Sequence, residues 1–352
     1  MCRRSLDCPS NYELLRRPDR HRLLSSQKQG QCGAAMKKLL LDVDCGVDDA
    51  QAIMMALASP GVQIVGITCV HGNTSVENVC KNTLRVLKVC QRQEIPVFCG
   101  AGRSLLGKTL NAERFHGQDG LGDVPDPQGA GLEQLQREGA VAALIRLANE
   151  HSGEVSVVAT APLTNLALAV RIDPSLPQKL KGLYVMGGNT DSRGNATVCA
   201  EFNFAADPEA ASIVLSSFLC PTYITTWESA CRNKLPWSFC DGWLAQDSEK
   251  ADFMKRIFRH TMEVAYQDRF QREMVDGVGF VSCDSYAMAA AIDETLVTQY
   301  EEMAVSVELC GRYTRGMLVL DTVGFLPEQR NVFIMKKVNV ETFKRMMMDA
   351  LN

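Results

Sequence analysis

Four closely spaced carboxylates are the residues of this chain with the clearest capacity for chemistry. They occupy positions 42–49 and are Asp42, Asp44, Asp48 and Asp49. Carboxylates this close repel one another unless a positive charge compensates them, and a hard divalent cation that prefers oxygen ligands supplies such a charge. The cluster therefore predicts a cation site. One of the last two aspartates could instead cap the following helix, which would leave the others unexplained.

The residues around the aspartates place them at the end of a strand. Lys38–Val43 is an apolar run typical of a short buried strand, and Ala50–Ala58 has the apolar character of a buried helix. Open α/β sheets bind ligands at the carboxyl ends of their strands. We therefore expect the aspartates to lie in a strand-to-helix turn that borders a ligand site.

Strand-like and helix-like segments alternate through the rest of the chain. Strands are predicted at 62–70, 95–101, 155–161, 183–188 and 222–227, and helices at 75–90, 139–151, 164–172 and 206–217. A long Gly-rich loop is predicted at 104–135, a helical region at 232–280, and further strands, some antiparallel, before a final helix. This alternation predicts an α/β fold with a mostly parallel central sheet flanked by helices. The length of 352 residues is compatible with one domain or two.

Composition narrows the class of protein. The net charge of −4 argues against a nucleic-acid partner, and no apolar run approaches the roughly 20 residues of a membrane span. The fourteen cysteines are scattered without a CxxC pair, which favours reduced thiols over a disulfide framework or a zinc site. We therefore expect a cytoplasmic protein without a membrane segment.

Residues 1–35 have a different composition from the rest. They are rich in Arg, Ser and Gln and lack a periodic apolar pattern, so we predict a disordered N-terminal extension followed by a folded unit over 36–352. The arginines would suit a mitochondrial presequence. The acidic residues Asp7, Glu13 and Asp19 argue against that alternative.

Polar clusters follow several of the predicted strands and should meet at one edge of a parallel sheet. These clusters contain HGN at 71–73, ATAPLTN at 159–165, MGG at 186–188, AEFNFAADPEA at 200–210 and CDSYAMAAA at 283–291. The expected pocket contains Asp44, Asp48, Asp49, Asn73, Asn195, Glu201, Asn203 and Asp284. This set has no Lys or Arg, so it suits a divalent cation and a neutral polyhydroxylated ligand better than a phosphate.

These residues carry a resemblance to a known family. DVDCGVDDA is similar to the DxDxGxDD signature of the inosine–uridine preferring nucleoside hydrolases. The similarity continues through CVHGN at 69–73, FHGQDGLG at 115–122, ATAPLTNLA at 159–167, VMGG at 185–188, GNATVCAEFNFAADPEA at 194–210, CDSYA at 283–287 and GRYTRGMLVLD at 311–321. The resemblance implies a single α/β domain, often assembled as a homodimer or homotetramer. It also implies an enzyme that hydrolyses the N-glycosidic bond of ribonucleosides to free base and ribose.

The resemblance also implies residue roles. A Ca²⁺ ion would be held by the side chains of Asp44, Asp49 and Asp284 and by the backbone carbonyl of Thr160. Asp44 would be the general base on a metal-bound water. Sugar-binding roles would fall to Asp48 and Asn73 at the 2′-hydroxyl, Asn203 at the 3′-hydroxyl, Asn195 and Glu201 on the 5′ side, and Met186 against the ring, although Met186 could equally be a core residue.

The sequence departs from the family pattern on the side of the leaving base. Cys283 stands where well-studied members carry a histidine that helps to protonate the base. Cysteine is an unusual general acid, so Cys283 is either a proton donor or a small residue that shapes the pocket. His116 is the best remaining candidate donor, whereas His71 is expected beside a strand end. Trp227 is interpreted as a core aromatic in preference to a base-stacking residue.

Two other functions are compatible with parts of the sequence. A haloacid-dehalogenase-type phosphotransferase also carries a DxDx motif after a strand. That class needs a lysine and a second acidic pair, and neither has a convincing candidate here. A nucleoside- or ribose-binding protein with weak catalysis is the other alternative, because Cys283 replaces the histidine.

Overall fold

The strands are short, apolar and mostly buried. The computed structural model describes residues 36–126, 129, 131–326 and 332–352. The strands of this part of the chain are β1 (Lys37–Val43), β2 (Val62–Cys69), β3 (Val97–Cys99), β4 (Val155–Ala159), β5 (Gly182–Met186), β6 (Thr222–Thr225), β7 (Val297–Glu302), β8 (Ala304–Val307), β9 (Leu318–Asp321) and β10 (Val332–Val338). The predicted disordered extension, residues 1–35, lies outside the described residues.

Helices follow nearly every strand. They are α1 (Val47–Ala58), α2 (Val76–Val89), α3 (Glu113–His116), α4 (Ala140–Glu150), α5 (Thr164–Ile172), α6 (Leu176–Lys179), α7 (Phe202–Ala206), α8 (Pro208–Ser217), α9 (Trp227–Arg232), α10 (Trp237–Leu244), α11 (Glu249–Ala265), α12 (Asp268–Glu273), α13 (Cys283–Ile292) and α14 (Val340–Ala350). Two 3₁₀ turns span Leu132–Gln134 and Glu294–Leu296. No described helix is both long and apolar enough to cross a membrane.

The central sheet has the strand order β3-β2-β1-β4-β5-β6-β10-β7. All neighbouring pairs are parallel except β10 and the edge strand β7, which are antiparallel. A separate antiparallel pair joins β8 to β9. The prediction of a mostly parallel sheet flanked by helices in a single α/β domain is therefore confirmed. Because β1 lies near the middle of the sheet, its carboxyl end is close to those of β2, β4 and β5.

Strand β1 shows why the sheet is buried on both faces. Leu39 and Leu41 belong to a core shared with α1, α13 and α14, whereas Leu40 belongs to a second core shared with α4, α5 and α8. Alternate side chains of a strand point to opposite faces, so an unbroken apolar run is what a strand between two helical layers requires. This packing fixes the position of the aspartates that follow the strand.

Several predicted boundaries were wrong. Helix α1 begins at Val47, ahead of the predicted start at Ala50, so two aspartates lie in its first turn. Strand β6 ends at Thr225, and Trp227 opens a helix although it was placed in the strand. The predicted loop at 104–135 includes the short helix α3. Strand β7 was not predicted, because its exposed edge carries polar residues that do not alternate with apolar ones.

Candidate active site

Three carboxylates from two helices converge at the carboxyl edge of the sheet. Asp48 and Asp49 lie in the first turn of α1, and Asp284 lies in the first turn of α13. One carboxylate oxygen from each lies within 4.8 Å of the other two, an arrangement that could hold a metal ion. The helix N-termini face the cluster with their positive dipole ends, which partly offsets the charge of the acids.

Asp44 is oriented by the residue that follows the neighbouring strand. The backbone N–H of Asn73 donates to Asp44 Oδ2 at 2.8 Å, and the Asn73 side-chain amide donates to Asp44 Oδ1 at 3.0 Å. The same amide reaches Asp49 Oδ2 at 3.3 Å. Asn73 therefore connects Asp44 to the three clustered carboxylates and fixes the rotamer of a fully buried acid.

Asp49 has a capping role as well as its place in the cluster. Its Oδ2 accepts the backbone N–H of Gly46 at 2.9 Å, a bond from the third helical position back to the N-cap residue. Its Oδ1 accepts the hydroxyl of Thr160 at 2.7 Å. Asp49 thus helps to cap the helix from its third position, whereas the N-cap residue itself is Gly46 and not an aspartate as the capping alternative had it.

The carboxylates are under strong electrostatic strain without a cation. Burial, with the charge of neighbouring Asp49, holds the pKa of Asp44 well above its usual range. Burial and the charge of Asp48 raise the pKa of Asp49 to about 7, and the same two causes hold the pKa of Asp284 well above its usual range. Asp48 Oδ1 is buried and has no hydrogen-bond partner. A buried unpartnered oxygen beside crowded acids fits a site built for a positive ion.

His116 lies against the same cluster from the other side. Its Nδ1 accepts the backbone N–H of Val47 at 3.1 Å, so the neutral ring carries its proton on Nε2. Nε2 lies 3.8 Å from Asp48 Oδ1. Burial lowers the pKa of His116 even though Asp48 opposes this shift. The ring is therefore neutral at physiological pH, with its one N–H on the side of Asp48.

The opposite wall is built around Asn203. Its side-chain amide donates to the carbonyl of Thr160 at 3.0 Å and to that of Met186 at 3.1 Å. Glu201 accepts the backbone N–H groups of Asn203 at 2.8 Å and Gly188 at 2.8 Å, and burial raises its pKa to about 7. The amide of Asn203 is fully used by the protein, so its Oδ1 is the atom available to accept from a ligand.

A cavity of about 320 Å³ joins these walls. The predicted site residues that line it are Asp48, Asn73, His116, Thr160, Met186, Asn195, Glu201, Asn203, Cys283 and Asp284. Asp44 and Asp49 lie one contact deeper, both bonded to Asn73. Asn195 has a buried Oδ1 without a hydrogen-bond partner, so it also has an unused acceptor at the cavity.

The remaining part of the cavity is aromatic and apolar. Trp227, Phe115, Phe270 and Val281 line it together with Cys283. Trp227 is 4% exposed and belongs to a small core cluster, as expected, and this cluster forms a cavity wall. Phe115 and Phe270 stack with their ring centroids 5.2 Å apart. The cavity therefore has one polar, acceptor-rich end and one end suited to a flat, apolar ring.

Cys283 and His71 differ in their position relative to the cavity. Burial raises the pKa of the Cys283 thiol well above its usual range, so the thiol is protonated and a poor acid. His71, as expected, is not a cavity residue. It is buried behind the strand ends, where its Nε2 lies 3.0 Å from the hydroxyl of Thr164.

The chain is similar to known proteins over most of its length. The family model for "inosine-uridine preferring nucleoside hydrolase" matches residues 39–345. The chain belongs to this nucleoside hydrolase family. The predicted family is thereby confirmed, and the phosphotransferase alternative is excluded. Members of the family are N-glycosyl hydrolases, so the chain is classed as an enzyme of this type.

The names of individual relatives state different base preferences. The inosine-uridine preferring nucleoside hydrolase of Crithidia fasciculata is 30% identical over 90% of this chain and 97% of its own length. The pyrimidine-specific ribonucleoside hydrolase RihA of Escherichia coli is 31% identical over 89% and 97%. A solved inosine-guanosine nucleoside hydrolase superposes with a TM-score of 0.82 at 31% identity, covering 90% of this chain and 99% of its own.

Several lining residues were not predicted from the sequence. Arg114 and Arg269 line the cavity, although the predicted pocket had no cationic residue. Arg114 is two residues before the predicted His116, so its position in the Gly-rich loop was a usable signal. Arg269 and Phe270 lie on α12, in a helical region whose place above the site depends on tertiary packing alone.

Proposed function

We propose that this protein hydrolyses the N-glycosidic bond of ribonucleosides and releases free base and ribose. The observation that carries the proposal is a cavity with a cluster of buried carboxylates and amides at one end and aromatic side chains at the other. A ribose needs many hydrogen-bond acceptors, and a nucleobase needs a flat apolar surface. Family membership supports the same reaction.

We further propose that the cluster holds Ca²⁺ through Asp44, Asp49, Asp284 and the carbonyl of Thr160. All four offer oxygen, the ligand type that Ca²⁺ prefers. The carbonyl accepts one bond from Asn203 and has a second lone pair free. The unpartnered Oδ1 of Asp48 supports the need for positive charge at this point. When bound, the ion would lower the pKa of water and orient the ribose hydroxyls.

Asp44 is the proposed general base. Its two oxygens are held by the two donors of Asn73, which aims the carboxylate without neutralising it. Asp44 takes a proton from the attacking water as the water oxygen bonds to C1′ of the ribose. The electron pair of the C1′–N bond leaves with the base. The developing ribosyl cation is favoured by the surrounding carboxylates more than the neutral substrate is.

The sugar contacts follow from the free acceptors of the polar end. We assign Asp48 and Asn73 to the 2′-hydroxyl and Asn203 to the 3′-hydroxyl. Asn195 and Glu201 are assigned to the 5′ side, and the buried Asn195 Oδ1 without a partner supports that place. Met186 ends β5 at the cavity wall, where it would pack against the ring, and it is also 4% exposed and part of the interior.

The proton for the departing base has two candidate donors. His116 lines the cavity and its neutral ring carries one proton, on Nε2, so we assign it a hydrogen bond to the departing base; the proton that the base finally gains comes from solvent, because a neutral imidazole is a much weaker acid than an imidazolium. Cys283 contributes shape in preference to acidity, because burial raises the pKa of its thiol. The base preference of the enzyme is not assigned, since relatives of nearly equal identity differ in it.

A nucleoside-binding protein with poor turnover is the second candidate function, favoured by the weak acidity of Cys283. One experiment separates the two functions. The protein is loaded with Ca²⁺ and incubated with inosine, guanosine, uridine and cytidine, while base release is followed by chromatography and binding by calorimetry. The proposed hydrolase activity predicts release of equimolar base and ribose from at least one nucleoside. Tight binding of a nucleoside with no base released would establish the binding protein.

We also propose a cytoplasmic homodimer or homotetramer. Both proposals rest on the resemblance and on the composition. Size-exclusion chromatography with light scattering measures the assembly, and a monomer at working concentration would contradict the proposed oligomer.

A further inference from the structure

Two arginines converge on one carboxylate at the mouth of the cavity. Arg114 Nη2 lies 3.7 Å from Glu273 Oε1, and Arg269 Nε lies 3.1 Å from the same oxygen. All three residues line the cavity. The side chains of Arg114 and Glu273 are 39% and 22% exposed, while Arg269 is 67% exposed. The group carries two positive charges and one negative charge, so it is a net cationic site that faces the cavity.

The backbone beneath these arginines is fixed by tertiary contacts. On the α3 side, His260 Nε2 lies 3.0 Å from the carbonyl of Arg114, and the Thr261 hydroxyl donates to the carbonyl of Phe115 at 3.0 Å. On the α12 side, the Trp227 indole N–H donates to the carbonyl of Glu273 at 3.3 Å. The Phe115–Phe270 stack joins the two short helices. The backbone segments that carry the two arginines are therefore held in place by contacts with neighbouring helices.

The arginines belong to the end of the cavity that receives the base. Arg114 precedes Phe115, and Arg269 precedes Phe270, the stacked pair of the aromatic end. The carboxylates of Asp48 and Asp284 belong to the sugar end. Among the described residues that line the cavity, Arg114 and Arg269 are the ones with a permanent positive charge. The cavity is thus electrostatically polarised from the acidic sugar end to the cationic base end.

This polarity matches the charge that develops during the proposed reaction. As the C1′–N bond breaks, its electron pair moves to the base nitrogen, and the ribose becomes positive. The base is then negative until it gains a proton, which it ultimately takes from solvent to balance the proton that water gave to Asp44. Carboxylates at the sugar end stabilise the ribosyl cation but oppose a negative base, so a positive group at the base end compensates for them.

We propose that Arg114 and Arg269 stabilise the negative charge on the departing base and so support leaving-group departure where the family histidine is replaced by Cys283. This inference rests on the proposed hydrolase function. Their contribution is specific to the transition state, because a neutral nucleoside has little charge for them to attract. Loss of such a contact lowers kcat and kcat/KM together and leaves KM nearly unchanged.

The test compares two leaving groups in Arg114→Gln, Arg269→Gln and the double variant. One substrate is the nucleoside that the wild type hydrolyses best, and the other is 4-nitrophenyl β-D-ribofuranoside, whose phenolate is a stable anion. We expect kcat for the nucleoside to fall about tenfold for each variant, because these exposed charges act partly through solvent. The nitrophenyl riboside should lose less than about twofold, since its leaving group needs less electrostatic support.

Two further variants serve as controls. Arg272→Gln removes an exposed arginine of α12, the helix that carries Arg269. Arg272 is not among the cavity-lining residues, so this variant should leave both rates unchanged. Arg114→Lys keeps the positive charge and should retain most of the nucleoside rate. Thermal unfolding confirms that each variant is folded.

The outcomes distinguish this inference from the proposed function. Equal losses on both substrates would mean that the arginines position the sugar or the helices, and unchanged rates on both would mean that they do not contribute. Either result overturns the inference while hydrolysis by the wild type still upholds the proposed function. A wild type that cleaves neither substrate would overturn both.

Discussion

Gly72 lies so close to the proposed general base that a single methyl group tests its role. A Cβ atom built on Gly72 would lie 1.9 Å from Asp44 Oδ2, 2.7 Å from its Cγ and 2.8 Å from its Cβ. Unstrained carbon contacts are about 3.5–4.0 Å, so the Asp44 side chain would have to move by roughly 1 Å in Gly72→Ala. The clash involves the base of the side chain as well as its tip, so rotation of the carboxylate alone cannot relieve it.

The expected loss of activity follows from that displacement. Asp44 would leave the two donors of Asn73, now at 2.8 and 3.0 Å, and would no longer face the attacking water in the same geometry. A displacement of 1 Å in a catalytic group costs on the order of 100-fold in rate. We therefore expect kcat/KM to fall by about 100-fold or more, with a loss of about 1–3 kcal/mol in the free energy of unfolding from overpacking.

Base release from the preferred nucleoside, measured at saturating Ca²⁺, gives the rate, and urea unfolding gives the stability. Gly61→Ala is the matched control, because a Cβ at Gly61 meets no atom within 4 Å. That variant should keep the wild-type rate. A folded Gly72→Ala protein with more than about one tenth of the wild-type kcat/KM would refute the placement of Asp44, since a 1 Å displacement should cost more.

Three other predictions concern the ion and the loop that carries His116. Thr160→Val removes the 2.7 Å bond to Asp49 but keeps the backbone carbonyl, so calorimetry should show Ca²⁺ affinity about 10-fold weaker or more, and unchanged affinity would exclude an orienting role for the hydroxyl. Chelation of Ca²⁺ should lower the melting temperature because the buried carboxylates then repel one another, and readdition should restore it; a melting temperature indifferent to Ca²⁺ would contradict the site. Arg85→Met removes a 3.2 Å ion pair with Asp126 and a 3.1 Å hydrogen bond to the carbonyl of Val124, so urea unfolding should show a loss of about 1–3 kcal/mol in the free energy of unfolding, and KM should rise. An unchanged KM would mean that these contacts of Arg85 do not affect substrate binding.

The aspartate cluster was predictable because its information is local. A continuous apolar strand, a turn with four acids and an apolar helix follow one another within about twenty residues of sequence, and the position of ligands at strand ends is a general property of parallel sheets. The start of α1 at Val47 was not predictable from the sequence. The N-cap residue is Gly46, which has no side chain, and the acids Asp48 and Asp49 lie inside the first turn of the helix and not at the usual capping position. The bond between Asp49 and Thr160 depends on the neighbouring order of β1 and β4.

The base end of the cavity was not predictable for the opposite reason. Phe115 and Phe270 are distant in sequence and meet only because α3 packs beside α11 and α12. Their helices are four and six residues long, too short for a periodic apolar pattern to identify. In the sequence, nothing distinguishes Arg114 and Arg269 from ordinary charged surface residues. Their common contact with Glu273 exists only in the folded chain.

The most direct test of the account is the release of ribose and base by wild type and Asp44→Asn, with Ca²⁺ binding measured in the same preparations. Asp241→Asn, on the exposed face of α10, is the control. We expect equimolar ribose and base from the wild type and the control, and a loss of about 1,000-fold or more in Asp44→Asn at saturating Ca²⁺, since a general base and its geometry are both removed. Hydrolysis by Asp44→Asn at a rate near that of the wild type would contradict the central claim.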